Sequence, residues 1–394
     1  MENIILKSQE IEKQLLCMRK ELHRIPEIGN ELPKTVAFVC ARLEELGVPY
    51  LKNEKDGNII AEIKGEGEGG IIAFRADMDA LHIQERTELP FASSIEGQMH
   101  ACGHDVHTAI LLACAEVLCS YKKTLKGTVR LIFQVGEETG TGAKEVLAEG
   151  GLNGVDAIWA LHVGNLAGDD LMAGQLVVLD GPVSAGKDKF TVTVHGKGTH
   201  SAFPEKGIDP ILISARIVNA CEELIAREVG AGTAAVLSFG SLQAGLDHNS
   251  IPETALIKGS IRCQDEEIRT FLGERLKTIC GKIAEAFRGS CTVELKKGSS
   301  TIMNNPSLAQ FTRNTLRKAF GDNSVVGEVK NCLMGSDDFY NYAKTIPAVY
   351  FFLHTNNPEK GIIQPNHNPC FDVDEEVLWK GVAAYVAIAL EYMK

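Results

Sequence analysis

Apolar and polar positions along the chain follow two periods. Between Ser8 and His23, residues Ile11, Leu15, Leu16, Met18 and Leu22 recur every three or four positions, the spacing of an amphipathic helix. Residues 35–46 repeat that pattern and stop at Gly47, a residue suited to a helix C-terminus. Apolar runs at 58–63, 70–75, 129–135 and 157–163 read as strands, interleaved with helical stretches at 108–121 and 143–150. Strands that are apolar throughout need cover on both sides. The pattern therefore predicts an α/β fold with a mixed sheet and helices on both faces.

The character changes near residues 181–187. A strand at 190–194 alternates with threonine, and a helical stretch follows at 210–229. Strands at 235–239 and 254–263, a helix at 266–287 and a strand at 292–296 complete a split βαβ, ferredoxin-like order. Beyond Pro306 the first pattern returns, with helices at 307–320 and 375–392 around an apolar strand at 348–353. The expectation is a discontinuous α/β domain, 1–184 with 297–394, interrupted by a smaller inserted α+β domain at 185–296. No internal repeat shows, and the one low-complexity patch is 65–70.

The composition agrees: 394 residues with 44% hydrophobic and 23% charged side chains describe globular domains rather than a disordered chain. Fifty-two acids against 40 bases give a net charge of −12. Such a surface repels phosphate backbones and anionic lipid, so neither nucleic acid nor a membrane is an expected partner. The apolar stretch 377–390 is interrupted by Lys380 and is too short to span a bilayer. Eleven cysteines without a Cys-x-x-Cys pair, behind an N-terminus with no signal-like apolar run, read as reduced thiols of a cytoplasmic protein.

Two glycine motifs are decoys. Gly65, Gly67 and Gly70 match G-x-G-x-x-G, but two glutamates sit inside and a strand follows, so a hairpin turn is expected there. Residues 181–188 approach a P-loop, with Asp188 where a Ser or Thr must stand; they read as an interdomain hinge.

Chemistry collects at five places, each past a strand or in a loop. Asp77 and Asp79 end the strand at 70–75, two apart and able to converge. The run His100-Ala-Cys-Gly-His-Asp-Val-His107 packs thiol and imidazole around Gly103, which permits a bend aiming Cys102 and His104 at one ion. Glu137 and Glu138 follow a strand; on extended backbone they face opposite ways, one to grip a metal and one to carry a proton. His162 ends a strand, and His367 lies in a polar loop at 364–369. Singly, each has a structural reading. Together, Cys102, His104, Glu138, His162 and His367 are too many ligands for one catalytic zinc and suit two ions.

With those residues in place the chain resembles the M20 family of metallopeptidases and amidohydrolases. It is most similar to the branch of N-acyl-amino-acid amidohydrolases, hippurate hydrolases and auxin-conjugate hydrolases. The likeness runs through ELHRIPE at 21–27, RADMDAL at 75–81, HACGHD at 100–105, Glu137-Glu138, ALHV at 160–163, GKGTHSAFP at 196–204, GSDDF at 335–339 and HNPCF at 367–371.

The resemblance implies that Cys102, His104, Glu138, His162 and His367 bind two divalent ions: zinc or manganese, with nickel or cobalt as further options. It makes Glu137 the general base and Asp77/Asp79 the carboxylates that orient a ligand. It makes His200 a histidine that reaches a partner subunit's site to steady the oxyanion, sets Asn249 and the 335–339 segment, Ser336 within it, on the substrate side, and makes 1–184 with 297–394 the catalytic domain and 185–296 the lid or dimerisation domain. Arg262, with Asn249, is a candidate clamp for a substrate carboxylate. The implied reaction is hydrolysis of a small N-acyl amino acid (acetyl, benzoyl or indole-acetyl) by a homodimer, or a tetramer. A dipeptidase or aminopeptidase with the same machinery is the nearest rival. A metal-binding scaffold without catalysis is the rival from another class, and it would have no need of Glu137 beside a complete ligand set. Departures cluster near the pocket: Val135-Gly136 for Pro-Ala, Thr139 for glycine, His82 for proline, and Asp169 and Asp170 in the 164–174 loop.

Overall fold

The computed structural model describes residues 1–53, 57–168 and 170–394, so Asp169 lies outside the described residues. The chain forms two compact units. One comprises Met1–Val183, Ile302–Leu333 and Asp337–Lys394; the other comprises Ser184–Thr301 with Met334–Ser336.

The first unit is built on an eight-stranded mixed sheet. Its strands are Tyr50–Lys52 (β1), Ile59–Lys64 (β2), Gly67–Asp77 (β3), Lys126–Gln134 (β4), Val155–Gly164 (β5), Leu176–Val177 (β6), Val325–Val326 (β15) and Ala348–His354 (β16). They lie in the order β1-β2-β4-β3-β5-β16-β6-β15. The neighbours β4, β3, β5 and β16 are parallel, so their C-terminal ends share one edge of the sheet, where open α/β sheets carry their sites.

Both faces are covered. Ile72, Phe74, Leu131, Phe133, Trp159 and Phe351 point into one core, with side chains from Glu2–Glu10 (α1), Glu12–His23 (α2), Pro33–Glu45 (α3), His104–Cys119 (α4), Pro306–Phe320 (α8) and Trp379–Tyr392 (α10). Alternate residues Ala73, Ile132, Ile158 and Ala160 face a second core with Gly142–Ala148 (α5) and Tyr340–Ala343 (α9). The α4 helix is buried along nearly its whole length; beyond its polar start at His104–Thr108 it is almost entirely apolar, as a central helix must be.

Three local expectations are corrected. The first helix starts at Glu2, not Ser8, and breaks at Ile11; the break lets Ile4 and Ile11 reach the same core as Leu15 and Met18. The turn at Gly65 joins β2 to β3, but these strands do not pair, because β4 lies between them. Glycine is needed there since a Cβ on Gly65 would come within 2.0 Å of the Leu125 carbonyl oxygen. Glu137 and Glu138 are not on extended backbone: β4 ends at Gln134, Gly136 turns the chain at φ +63°, and the Gly140 N–H closes a turn on the Glu137 carbonyl.

The second unit has a four-stranded antiparallel sheet of Gly186–His195 (β8), Ala235–Ala244 (β10), Thr254–Cys263 (β12) and Ser290–Lys297 (β13), in the order β10-β12-β8-β13. Pro210–Glu228 (α6) and Glu266–Ala286 (α7) pack on one face over Val192, Val194, Ile257 and Ile261. The side chains of Asp209 and Asp265 accept from the first free N–H groups of these helices, caps worth about 1 kcal/mol each. The short pair Thr199–His200 (β9) and Ser250–Ile251 (β11) lies in the same unit. Two-residue strands Gly181–Pro182 (β7) and Met303–Asn304 (β14) pair in the first unit, where the chain leaves and returns. Among the described residues no helix is long and apolar enough to cross a membrane.

Candidate metal centre

The C-terminal ends of the parallel strands deliver the side chains. Asp77 ends β3, Glu137 and Glu138 follow β4, and His162 lies at the end of β5. Cys102 and His104 come from the start of α4. Gly103 takes φ +89° between them, and a Cβ there would lie 2.6 Å from Val163 Cγ2. The loop bearing His367 is tied down by its own N–H to the Ala101 carbonyl at 2.7 Å. The Asn366 amide donates to the Cys102 and Val163 carbonyls.

These elements bring five of the candidates together. Cys102 Sγ is 3.5 Å from His162 Nε2 and 3.3 Å from His367 Nε2, which is 3.3 Å from Glu138 Oε1. Ligand-type atoms of Cys102, His104 and His162 lie within 4.8 Å of one another, as do those of Cys102, Glu138 and His367 and those of His104, Glu137 and Glu138. Cys102 thus belongs to two overlapping triads, which suits a pair of ions sharing a neighbourhood.

The residues fit divalent cations on a second ground. His104 Nε2 is buried and has no hydrogen-bond partner, an arrangement costly unless something else satisfies it. The hydrogen bonds His367 makes to Cys102 and then to the Glu138 carboxylate raise it to about 10; the same electron-rich pair would hold a cation. Burial pushes His162 well below the usual histidine range, keeping the imidazole in its neutral, ligating form.

Hydrogen bonds around the cluster orient it. The Asp79 carboxylate accepts the backbone N–H groups of Glu137 and Glu138, both at 3.1 Å, and its carbonyl is 2.8 Å from His104 Nδ1. Asp77 contacts Arg75 and His107, each at 2.5 Å. The Val163 N–H donates to His107 Nε2 at 2.9 Å. Both ring nitrogens of His107 are therefore engaged, and it serves as a brace between Asp77 and β5 rather than as a ligand. The two aspartates do converge on His104, but with separate jobs. Burial first, then the charges of Asp337, Glu138 and Asp338, lift Glu137 well above the usual carboxylate range.

The remaining candidates belong to the second unit. His200, on β9, is exposed and its Nδ1 accepts the Ala202 N–H. Asn249 lies beside it, its carbonyl accepting the Ser201 N–H at 2.9 Å. Arg262, half-buried on β12, donates to the Met334 carbonyl at 2.7 Å. Ser336 is exposed.

Sequence reasoning gave no role to Arg75 and set the 335–339 segment on the substrate side, whereas Asp337 and Asp338 of that segment meet Arg75 in a buried ion cluster. It counted His107 in the histidine-rich run without giving it a place at the site, although a histidine three residues beyond His104 on one helix is a usable signal. The Arg19–Asp105–His23 cluster behind α4 carried no local signal.

The comparisons with known proteins agree with this geometry. A profile of peptidase family M20/M25/M40 matches residues 73–391. Thermostable carboxypeptidase 1 of Saccharolobus solfataricus is 35% identical over 390 residues, covering 98% of this chain and 96% of the relative. N-acetyl-L-cysteine deacetylase of Bacillus subtilis is 35% identical over 370 residues, covering 94% and 86%. A Bacillus subtilis structure described as a dinuclear metal-binding peptidase of the M20 family superposes with a TM-score of 0.84 at 32% identity, over 98% of this chain and 99% of that one. The chain belongs to peptidase family M20/M25/M40. It is a hydrolase of amide bonds from a metal-dependent family.

Proposed function

We propose that the protein hydrolyses small N-acyl amino acids, with Cys102, His104, Glu138, His162 and His367 holding two divalent cations. The observation that carries this is one cluster joining a thiol, three imidazoles and a carboxylate, with His104 Nε2 unpartnered and Glu137 adjoining. When bound, such cations lower the pKa of a water and polarise the acyl carbonyl. Glu137 accepts the proton of the attacking water and returns it to the leaving amine nitrogen. A carboxylate lifted well above the usual carboxylate range by burial and neighbouring acids suits both halves of that task. Asp79 fixes the backbone of both glutamates, so the base and the ligand move as one piece. His200, exposed on the second unit, is assigned to oxyanion stabilisation in the partner subunit of a dimer. Asn249, Arg262 and Ser336 are assigned to the substrate, and Ser184–Thr301 to the lid and dimer contact.

Acetyl-, benzoyl- and indole-acetyl-alanine assayed beside Ala-Ala and a C-terminal-blocked peptide test the substrate class. Faster cleavage of the acyl amino acids, abolished by a chelator and restored by metal, is expected. Preference for the dipeptide would replace this reading with the peptidase one. Glu137→Gln should keep metal and lose at least about 10²-fold in kcat, the typical share of a general base. A variant with normal metal and normal turnover would remove the base assignment.

A further inference from the structure

A buried ion cluster lies next to Glu137 on the second face of the sheet. At its centre is Arg75, only 2% exposed, on β3 two residues before Asp77. All five of its N–H donors are used. Nε donates to Gln134 Oε1 at 3.0 Å; Nη1 donates to Asp77 Oδ2 at 2.5 Å and Asp337 Oδ2 at 3.2 Å; Nη2 donates to Asp337 Oδ1 at 3.2 Å and Asp338 Oδ1 at 2.9 Å. Other groups lock the acceptors. Tyr350 OH and the Phe339 N–H donate to Asp337, the Ala143 N–H and Gln134 Nε2 donate to Asp338, and Tyr342 OH donates to Gln134.

The cluster ends on the base. The backbone N–H of Asp338 donates to Glu137 Oε1 at 3.3 Å. Carboxylate oxygens of Glu137, Asp337 and Asp338 lie within 4.8 Å of one another. Three acids this close repel unless a cation gathers them, and the planar guanidinium of Arg75 gathers two of them, Asp337 and Asp338, in fixed directions. Gln134 joins the same cluster three residues before Glu137, so the fork of Arg75 ties the strand that leads to the base to the segment that covers it.

We propose that Arg75 is a positioning residue for Glu137: by gripping Asp337 and Asp338 it seats the Asp338 backbone N–H against the Glu137 carboxylate and so fixes the direction in which the base points. Arg75 itself touches no substrate. The inference rests on Glu137 being the base.

Lysine keeps the charge but offers three donors from a single point instead of five from a planar fork. Arg75→Lys therefore separates geometry from charge. The test uses the full-length, metal-loaded protein and the best substrate of the acyl-alanine panel. Arg75→Lys should lower kcat about 10–10²-fold, as a misplaced catalytic group does, with KM changed less than about threefold and metal content and Tm near wild type. Asp338→Asn, which retains the backbone N–H but weakens the grip of Arg75, should show a smaller fall in kcat. In a Glu137→Gln background, adding Arg75→Lys should cost nothing more, because residues that act as a unit are not additive.

Wild-type kcat in Arg75→Lys overturns the inference and leaves the base reading standing. Lost metal or a collapsed Tm, with normal kcat per loaded site, makes Arg75 purely structural and also overturns it. So does a further full-sized loss in the double variant, since Arg75 would then act by another route. Normal turnover in Glu137→Gln alone fells the base reading, and this inference with it.

Discussion

Gly103→Ala tests whether the ligand geometry depends on the bend between Cys102 and His104. Gly103 sits at φ +89°, where a side chain costs about 1–2 kcal/mol. The new Cβ would also lie 2.6 Å from Val163 Cγ2, with Phe371 ring carbons at 3.7 Å. Overpacking of that kind costs about 1–3 kcal/mol. Together the strain is about 2–5 kcal/mol. It falls where relief must move Cys102 and His104 on one side or His162, next to Val163, on the other. If only the lower figure is expressed as lost cation binding, affinity drops about 30-fold, at about 1.4 kcal/mol per decade. Equilibrium dialysis against buffered zinc or manganese, read by elemental analysis, measures it. Gly97→Ala is the control: Gly97 also has positive φ, +72°, but a Cβ there meets nothing within 4 Å, so it should lower stability without changing metal affinity. Unaltered metal affinity in Gly103→Ala, or equal losses in both variants, would refute the argument.

Two further outcomes are expected. Asp79→Asn should reduce kcat about 10²-fold with the chain still folded. An amide in place of the carboxylate turns an NH2 group toward one of the two N–H donors at 3.1 Å, and losing a charge-assisted bond of this kind costs about 1.5–3 kcal/mol; wild-type turnover in a folded Asp79→Asn would contradict the role given to Asp79. His23 should make stability fall above neutrality. Burial alone would lower it, but the charge and hydrogen bond of Asp105 and the hydrogen bond of Glu85 raise it to about 9. A raised histidine stabilises fully below its unfolded value of about 6.5 and ceases to do so as pH rises through about 9, a span of about 3 kcal/mol. Thermal melts of wild type and His23→Gln from pH 6 to 10 should converge; parallel curves would exclude the effect.

Elements whose pattern is local could be read without coordinates. Strand β12 and the start of α6 fall where the sequence ranges 254–263 and 210–229 put them, because a single burial face and a cap decide them. That the candidate ligands cluster was legible for a similar reason: thiol, imidazole and carboxylate at strand ends and in nearby loops are uncommon together. What pairs with what was not. The insertion of β4 between β2 and β3 depends on glycines that let backbones approach, and no periodicity records that. The bond between Arg75 and Asp338 joins residues 263 apart, each of which alone resembles a solvated charge. The turn at Glu137–Gly140 was hidden because the strand pattern runs smoothly into it until Gly136 takes positive φ.

The pairing of β7 with β14 has a consequence for how such a molecule can change. Pro182 faces Met303 and Gly181 faces Asn304, so the excursion through Ser184–Thr301 leaves and re-enters the first unit at one spot. Closing that gap asks almost nothing of whatever lies beyond it, since the entropy of an insertion grows only slowly with its length. Every proposed metal ligand is encoded outside the excursion, while His200, Asn249 and Arg262 are encoded within it. Recombination at this doorway could exchange one cassette for another and present new partners to an unchanged hydrolytic engine.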